Sequence, residues 1–113
     1  MHHKDLLYGS DYATDVAIVV EGPSDVWAIG PGAVGTFGTQ VTPAQLYKIS
    51  LYPVRALCFD NEPLAQQRAR KLGQALSLLP GETHIIRLET GKDPSCANKQ
   101  EIAELRERFL VGA

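Results

Sequence analysis

The chain has 113 residues, 44 % of them hydrophobic and 21 % charged, with a formal net charge of -2 at pH 7. That is one domain's worth of chain, able to bury roughly two-thirds of its unfolded surface, so folding requires neither a disulfide nor a structural metal. The slightly acidic balance excludes gripping nucleic acid by bulk electrostatics, which takes clustered Lys and Arg; any such contact is local or supplied by a partner.

In chain order, residues 1–14 read as a lead-in segment and 15–113 as a single domain. His2 and His3 beside the initiator read as tail rather than as a metal site. Val16 to Val20 form an uninterrupted VAIVV run, the pattern of a strand buried on both faces. After Glu21-Gly22, Pro23 or Ser24 opens a short helix through Ile29, closed by Gly30-Pro31. A second strand is expected from Ala33 to Phe37. Thr42-Pro43-Ala44-Gln45 fits a capping box with Pro at the first helical position, starting a helix that ends before Pro53 and turns Leu46, Ile49 and Tyr52 inward.

Arg55 to Phe59 supply a third strand, running into Asp60-Asn61-Glu62. Pro63 starts the longest helix, with Leu64, Ala65, Ala69, Leu72, Leu76 and Leu79 on its apolar face and Pro80-Gly81 as its terminator. A fourth strand spans Thr83 to Leu88, before the polar loop Thr90 to Pro94. The last helix is expected from Lys99 to Leu110, capped by Asn98 with Glu101 three residues on, and packed through Ile102, Leu105 and Phe109. Strands alternating with helices imply crossover connections, hence an α/β fold with a four-stranded, mainly parallel sheet.

Ligands of such sheets bind at the carboxyl ends of the strands. Glu21 follows the first strand, Asp60 and Glu62 the third, and Asp93 lies in the loop after the fourth, so all four are expected at one edge. Crowded carboxylates repel one another, and a hard divalent cation relieves that repulsion while accepting phosphate oxygens; Mg²⁺ is the natural candidate. In extended chain, positions 60 and 62 point the same way and can address one ion, while Glu21 suits a general acid/base or a second ligand. The competing explanation is that such residues are solvated or cap the following helix, as Asn61 or Glu62 would before Pro63.

The run VAIVVEGPSDV, then TFGT, LCFDNE and GKDP, resembles the TOPRIM domain of bacterial and phage primases, over about Val16 to Phe109. Leu7-Tyr8-Gly9 is also similar to the segment preceding that domain. The resemblance implies a Rossmann-like three-layer TOPRIM fold and metal-dependent nucleotidyl or phosphodiester transfer. Glu21 takes the place of the catalytic glutamate, Asp60 and Glu62 those of the metal-holding acids, and Asp93 that of the acid before proline. Gly22 and Asp25 match the EGxxD motif, Gly38 and Thr39 the TFGT motif, and Lys92 the GKDP loop. Glu62 stands where the family has aspartate, and Pro63-Leu64-Ala65 where it has a small, basic stretch; Mn²⁺ is the alternative ion.

By the same resemblance the partners are nucleic acid and nucleotides, held weakly by this chain alone, with other primase subunits or a helicase. The zinc-binding region and basic subdomain of such primases do not fit within 113 residues, which implies a stand-alone protein, a subunit or a fragment. A TOPRIM nuclease and a non-catalytic interaction module are the alternatives, and the motifs alone do not separate them.

Several other signals carry less. Gly30 to Gly35 satisfies G-x-G-x-x-G, but follows a helix and leads into a strand, the wrong context for a dinucleotide site. Trp27 is expected as a core or interface anchor and His84 as a strand-edge residue. Lys92, Arg68, Arg70 and Lys71 read either as phosphate contacts or as solvated cations. Cys58 and Cys96 lack ligand spacing and are expected as reduced thiols. With no apolar run of membrane-spanning length and no signal segment, a cytoplasmic protein without membrane contact is expected.

Overall fold

Val16–Val20, buried along its whole length, forms strand β1 next to the middle of a four-stranded sheet ordered β2-β1-β3-β4. The computed structural model describes Gly9 and residues 15–36 and 41–110. The other strands are β2 (Ala33–Gly35), β3 (Val54–Leu57) and β4 (Glu82–Ile85), and every pairing is parallel. Registers such as Val20 with Gly35, Val19 with Leu57 and Leu57 with Ile85 bring the strand ends level at one edge.

Helices α1 (Pro23–Ile29), α2 (Pro43–Ser50), α3 (Pro63–Ser77) and α4 (Lys99–Phe109) fill the crossovers. Because side chains alternate along a strand, Val16, Ile18 and Val20 face one way and pack with Val26 and Ile29 of α1 and Ile102, Leu105 and Phe109 of α4. Ala17 and Val19 face the other way, against Ile49 of α2 and Ala65, Ala69, Leu72 and Leu76 of α3. The result is the expected α/β, Rossmann-like three-layer arrangement. Among the described residues no helix is long and apolar enough to cross a membrane.

The local signals hold unevenly. Thr42 and Gln45 form the full capping box, each side chain accepting from the other's backbone N–H at 3.1 Å. Asn98 accepts from Glu101 N at 2.8 Å, but the Glu101 carboxylate does not return the bond; it accepts from the Glu89 and Thr90 amides instead, pinning the chain after β4. β2 stops at Gly35, short of Phe37, and Phe37, Gly38 and Thr39 lie outside the described residues, as does the lead-in apart from Gly9. β4 ends at Ile85 rather than Leu88. Leu64 is 64 % exposed, because it sits in the first turn of α3 beyond the sheet's edge, and Trp27, expected as a core or interface anchor, is 71 % exposed on α1 and so is no part of the core.

Among the described residues four polar side chains are buried, and Arg55 is the largest of them. Arg55 on β3 is 0 % exposed, and its guanidinium donates to the carbonyls of Tyr52, Pro80 and Leu76 and to Thr83 Oγ1. Three carbonyls supply the acceptor charge in place of a carboxylate, with Leu76 O belonging to the negative end of the α3 dipole. Burial lowers the Arg55 pKa from its ordinary value. Gly81, at φ +112°, lies so close that a Cβ there would strike the Arg55 guanidinium and approach Pro53 O to 2.7 Å.

Candidate active site at the carboxyl edge

Parallel topology places the turn after β1 beside the turn after β3. Glu21 Oε1 accepts the Asp60 amide at 3.3 Å, which joins the two motifs directly. Its other oxygen, Oε2, accepts from Arg68 Nε at 3.1 Å and Arg68 Nη2 at 2.7 Å. Arg68 is thus not a solvated helix cation; it reaches from α3 onto the motif glutamate, and Glu62 Oε1 lies 3.9 Å from the same Nη2. Arg70 and Lys71 remain exposed.

Glu62 occupies the N-cap of α3, where its Oε1 accepts from Ala65 N at 3.0 Å. The helix-cap role weighed against metal binding is therefore the one its side chain plays here. The backbone around it is a tight turn, with Glu62 N donating to Asp60 O at 2.9 Å, so residues 60 and 62 do not continue a regular strand. Gln66 Nε2 donates to the Asp60 carbonyl at 3.0 Å, which secures the same turn from α3.

Asp25, buried on α1, accepts the Ser95 amide at 3.2 Å through Oδ1. Asp93 Oδ1 accepts from Ser95 Oγ at 2.5 Å and from Cys96 N at 3.0 Å. Ser95 therefore links both acids, and Asp93 spends its carboxylate on a local turn of the kind Asp side chains favour. Asn61 donates its own amide to Lys92 O, while its side chain donates to Leu88 O at 2.8 Å and accepts from Arg87 Nε at 3.0 Å. The Lys92 side chain is exposed. Gly22 caps α1, its carbonyl accepting from Val26 N.

The electrostatics show how tightly the acids are grouped. Asp60 is pushed up to about 6, first by burial and then by the charges of Glu21, Asp25, Asp93 and Glu62. Burial likewise raises Asp25, with Asp93 and Glu21 adding to the rise and the Ser95 and Gly22 amides opposing it. Asp93 moves the other way, held down chiefly by the Ser95 hydroxyl. Hence the sequence-expected acids do share one edge, with Asp60 in the field of all the others.

Their chemistry, an all-oxygen set with an unrelieved carboxylate at Asp60, suits a hard divalent cation. Past β2, where Thr36 N donates to Val20 O, Thr36 buries an Oγ1 that has no hydrogen-bond partner among the described residues. Yet among the described residues no three His, Cys, Asp or Glu side chains converge closely enough to hold an ion. Arg68 occupies Glu21 Oε2, and the helix cap occupies Glu62 Oε1.

Sequence reading did not single out Ser95 or Gln66, and it weighed Arg68 as a phosphate contact or solvated cation and Asn61 as a helix cap, not as the partners of Glu21 and Leu88 that they are. Ser95 lies two residues after an aspartate and Gln66 reaches Asp60 six positions back, but the partners of Asn61 and Arg68 lie across the fold, 27 positions away for Leu88 and 47 for Glu21.

No protein-family model matches the chain, and no curated protein matches it. Among solved structures it is similar to the crystal structure of the Aquifex aeolicus primase (zinc-binding and RNA polymerase domains), with 22 % sequence identity and a TM-score of 0.78. The alignment covers 95 % of this chain and 30 % of that one, so the chain spans under a third of that protein's length. The likeness is one of fold: this chain has a primase-like α/β architecture.

Proposed function

We propose that this chain is a TOPRIM-type module for phosphodiester chemistry on nucleic acid, related to the nucleotidyl-transferring core of primase and working with partner chains. The carrying observation is the bond from the Asp60 amide to Glu21 Oε1, which joins the acids after β1 and β3 at the strand-end edge of a primase-like fold, where the neighbouring charges and burial also raise Asp60. Such an edge is where an α/β sheet takes its ligand, and perturbed carboxyls gather at working sites.

In this reading Asp60 and Glu62, with Asp93 and Glu21 beside them, hold Mg²⁺ or Mn²⁺. The ion would neutralise phosphate oxygens and favour the ionised form of an attacking hydroxyl. Glu21, whose Oε1 is fixed by the Asp60 amide, is the group to move a proton. Asn61 and Ser95 position the site by tying the turns after β3 and β4 to each other and to α1.

A second reading, a non-catalytic interaction module, is favoured by one observation: Arg68 already neutralises Glu21. Calorimetric titration with Mg²⁺ and Mn²⁺, on the wild type beside Asp60→Ala and Glu62→Ala, separates the two. Binding that Asp60→Ala abolishes supports the catalytic reading and warrants assays for primer synthesis and for cleavage. No binding at millimolar metal leaves the interaction module.

A further inference from the structure

Helix α3 carries three cations, Arg68, Arg70 and Lys71, and no acid, in a chain whose 11 cations face 13 acids. The remainder of the chain therefore holds eight cations against thirteen acids, so positive charge is concentrated on this one helix. Helix electrostatics do not account for it. No cation lies in the last turn, where the dipole would favour one, and no carboxylate on the helix stands three or four residues away as a pairing partner. Arg68 is spent on Glu21, whereas Gln67, Arg70, Lys71 and Gln74 make up the exposed stripe, and among the described residues no ion pair or side-chain hydrogen bond engages them.

The stripe is continued by the chain after β4. Gly73 packs on Ile85, and α3 runs antiparallel to β4, so Arg70 lies about 4.5 Å nearer the carboxyl edge on the same flank and Arg87 about 6.6 Å nearer it, almost level. Arg87 is exposed, and its Nε donates to Asn61 Oδ1 at 3.0 Å, which leaves both Nη groups of its fork to solvent. Resting on the nucleic-acid reading above, we infer that this face takes a phosphodiester backbone. Arg70, Lys71 and Arg87 donate to phosphates, the Gln67 and Gln74 amides fill the row between them, and the row leads to the acidic edge. A guanidinium fork matches two phosphate oxygens, and the excess of acid elsewhere on the chain repels a polyanion from the other faces. With no aromatic side chain on α3 to stack a base, the contact is with backbone and tolerates any sequence.

The test is fluorescence anisotropy of a labelled oligothymidylate and of a mixed-sequence duplex, in chelator over a series of salt concentrations. The intact wild type is compared with Arg70→Gln, Lys71→Gln, Arg87→Gln and Arg108→Gln, the last removing a cation from α4 on the opposite face of the sheet. Log affinity falls with log salt by roughly 0.7 per phosphate neutralised on a single strand and by roughly 0.9 on a duplex. Three contacts to a single strand give a slope of about -2. Each of the first three substitutions weakens binding several-fold and flattens that slope by roughly 0.7, and Arg108→Gln does neither. If Arg87→Gln does not fold, because Asn61 loses its partner, Arg70→Gln and Lys71→Gln carry the comparison. Tighter binding of the duplex with the same losses keeps the surface and makes the duplex its ligand.

Wild-type binding that Arg70→Gln and Lys71→Gln leave unchanged overturns this surface and leaves the nucleic-acid reading standing. No binding of either oligonucleotide, with polyglutamate held through the same residues, assigns the face to an acidic protein and overturns the inference. Binding of no polyanion at low salt overturns it as well. Because every titration is run in chelator, the metal site is decided separately by the calorimetry above.

Discussion

Asn61 Nδ2 donates to the carbonyl of Leu88 at 2.8 Å, fastening the turn after β3 to the chain after β4. Replacing Asn61 with Ala leaves that carbonyl and Arg87 Nε without their partner, at a cost of about 1–2 kcal/mol. Faster amide hydrogen exchange from Glu89 to Ala97 is the accompanying result. Urea melts and exchange mass spectrometry check both, and unchanged exchange there would show that the backbone bond from Asn61 N to Lys92 O suffices alone.

Asp60 titrates near 6 in the folded chain against an ordinary 3.8, so the folded state binds its proton more tightly than the unfolded chain does. Its ionisation is therefore a penalty on folding, absent below about pH 4, growing as pH rises to about 6 and fully felt beyond. Asp60→Asn is expected to stabilise the metal-free protein at pH 7 by on the order of 1 kcal/mol, allowing for partial solvent screening, and to do nothing at pH 3.5. Denaturation in chelator at both pH values decides; a loss of stability at pH 7 would contradict the crowding of charges.

Gly81→Ala should destabilise strongly, by about 2 kcal/mol or more, because its Cβ meets the Arg55 guanidinium and Pro53 O in a backbone conformation at φ +112°. Gly73→Ala is the contrast. There the nearest atom is the Ile85 Cδ1 methyl at 3.3 Å, on a side chain 44 % exposed and able to shift, so helix propensity makes that variant as stable as the wild type or more so. Thermal melts of the pair give the comparison.

The two cysteines should separate chemically. Burial pushes the Cys58 thiol up to about 12, with Asp25, Glu101 and Asp60 adding to the effect, whereas Cys96 is exposed. An aromatic disulfide reagent should modify Cys96 alone in the native protein and both residues in denaturant. Rapid native modification of Cys58 would mean that the packing between β1, β3 and α4 opens.

What the sequence made legible follows from what is local or periodic. Val16–Val20 announced a central strand because a run with no polar position fits only a two-sided core, and Thr42 announced its helix because both halves of the cap lie within three residues. The common edge of Glu21, Asp60 and Asp93 followed from topology, since parallel strands all end the same way. Arg55 was hidden because arginine reads as surface until the distant carbonyls of Leu76 and Pro80 are folded around it beside that of Tyr52. Leu64 was misplaced because helical period says which residues share a stripe, not where the sheet beneath it ends. The engagement of Glu21 by Arg68 depends on the packing of α3 across β1, which no short window contains.

The helix α3 is gripped at both ends, by Glu62 at its cap and by Arg55 at its last carbonyls. With 15 residues it is a strut about 22 Å long that cannot slide toward or away from the acidic edge without tearing the Arg55 cluster. A rotation of the Glu21 or Arg68 side chain, a process on the order of nanoseconds, would need no shift of the helix.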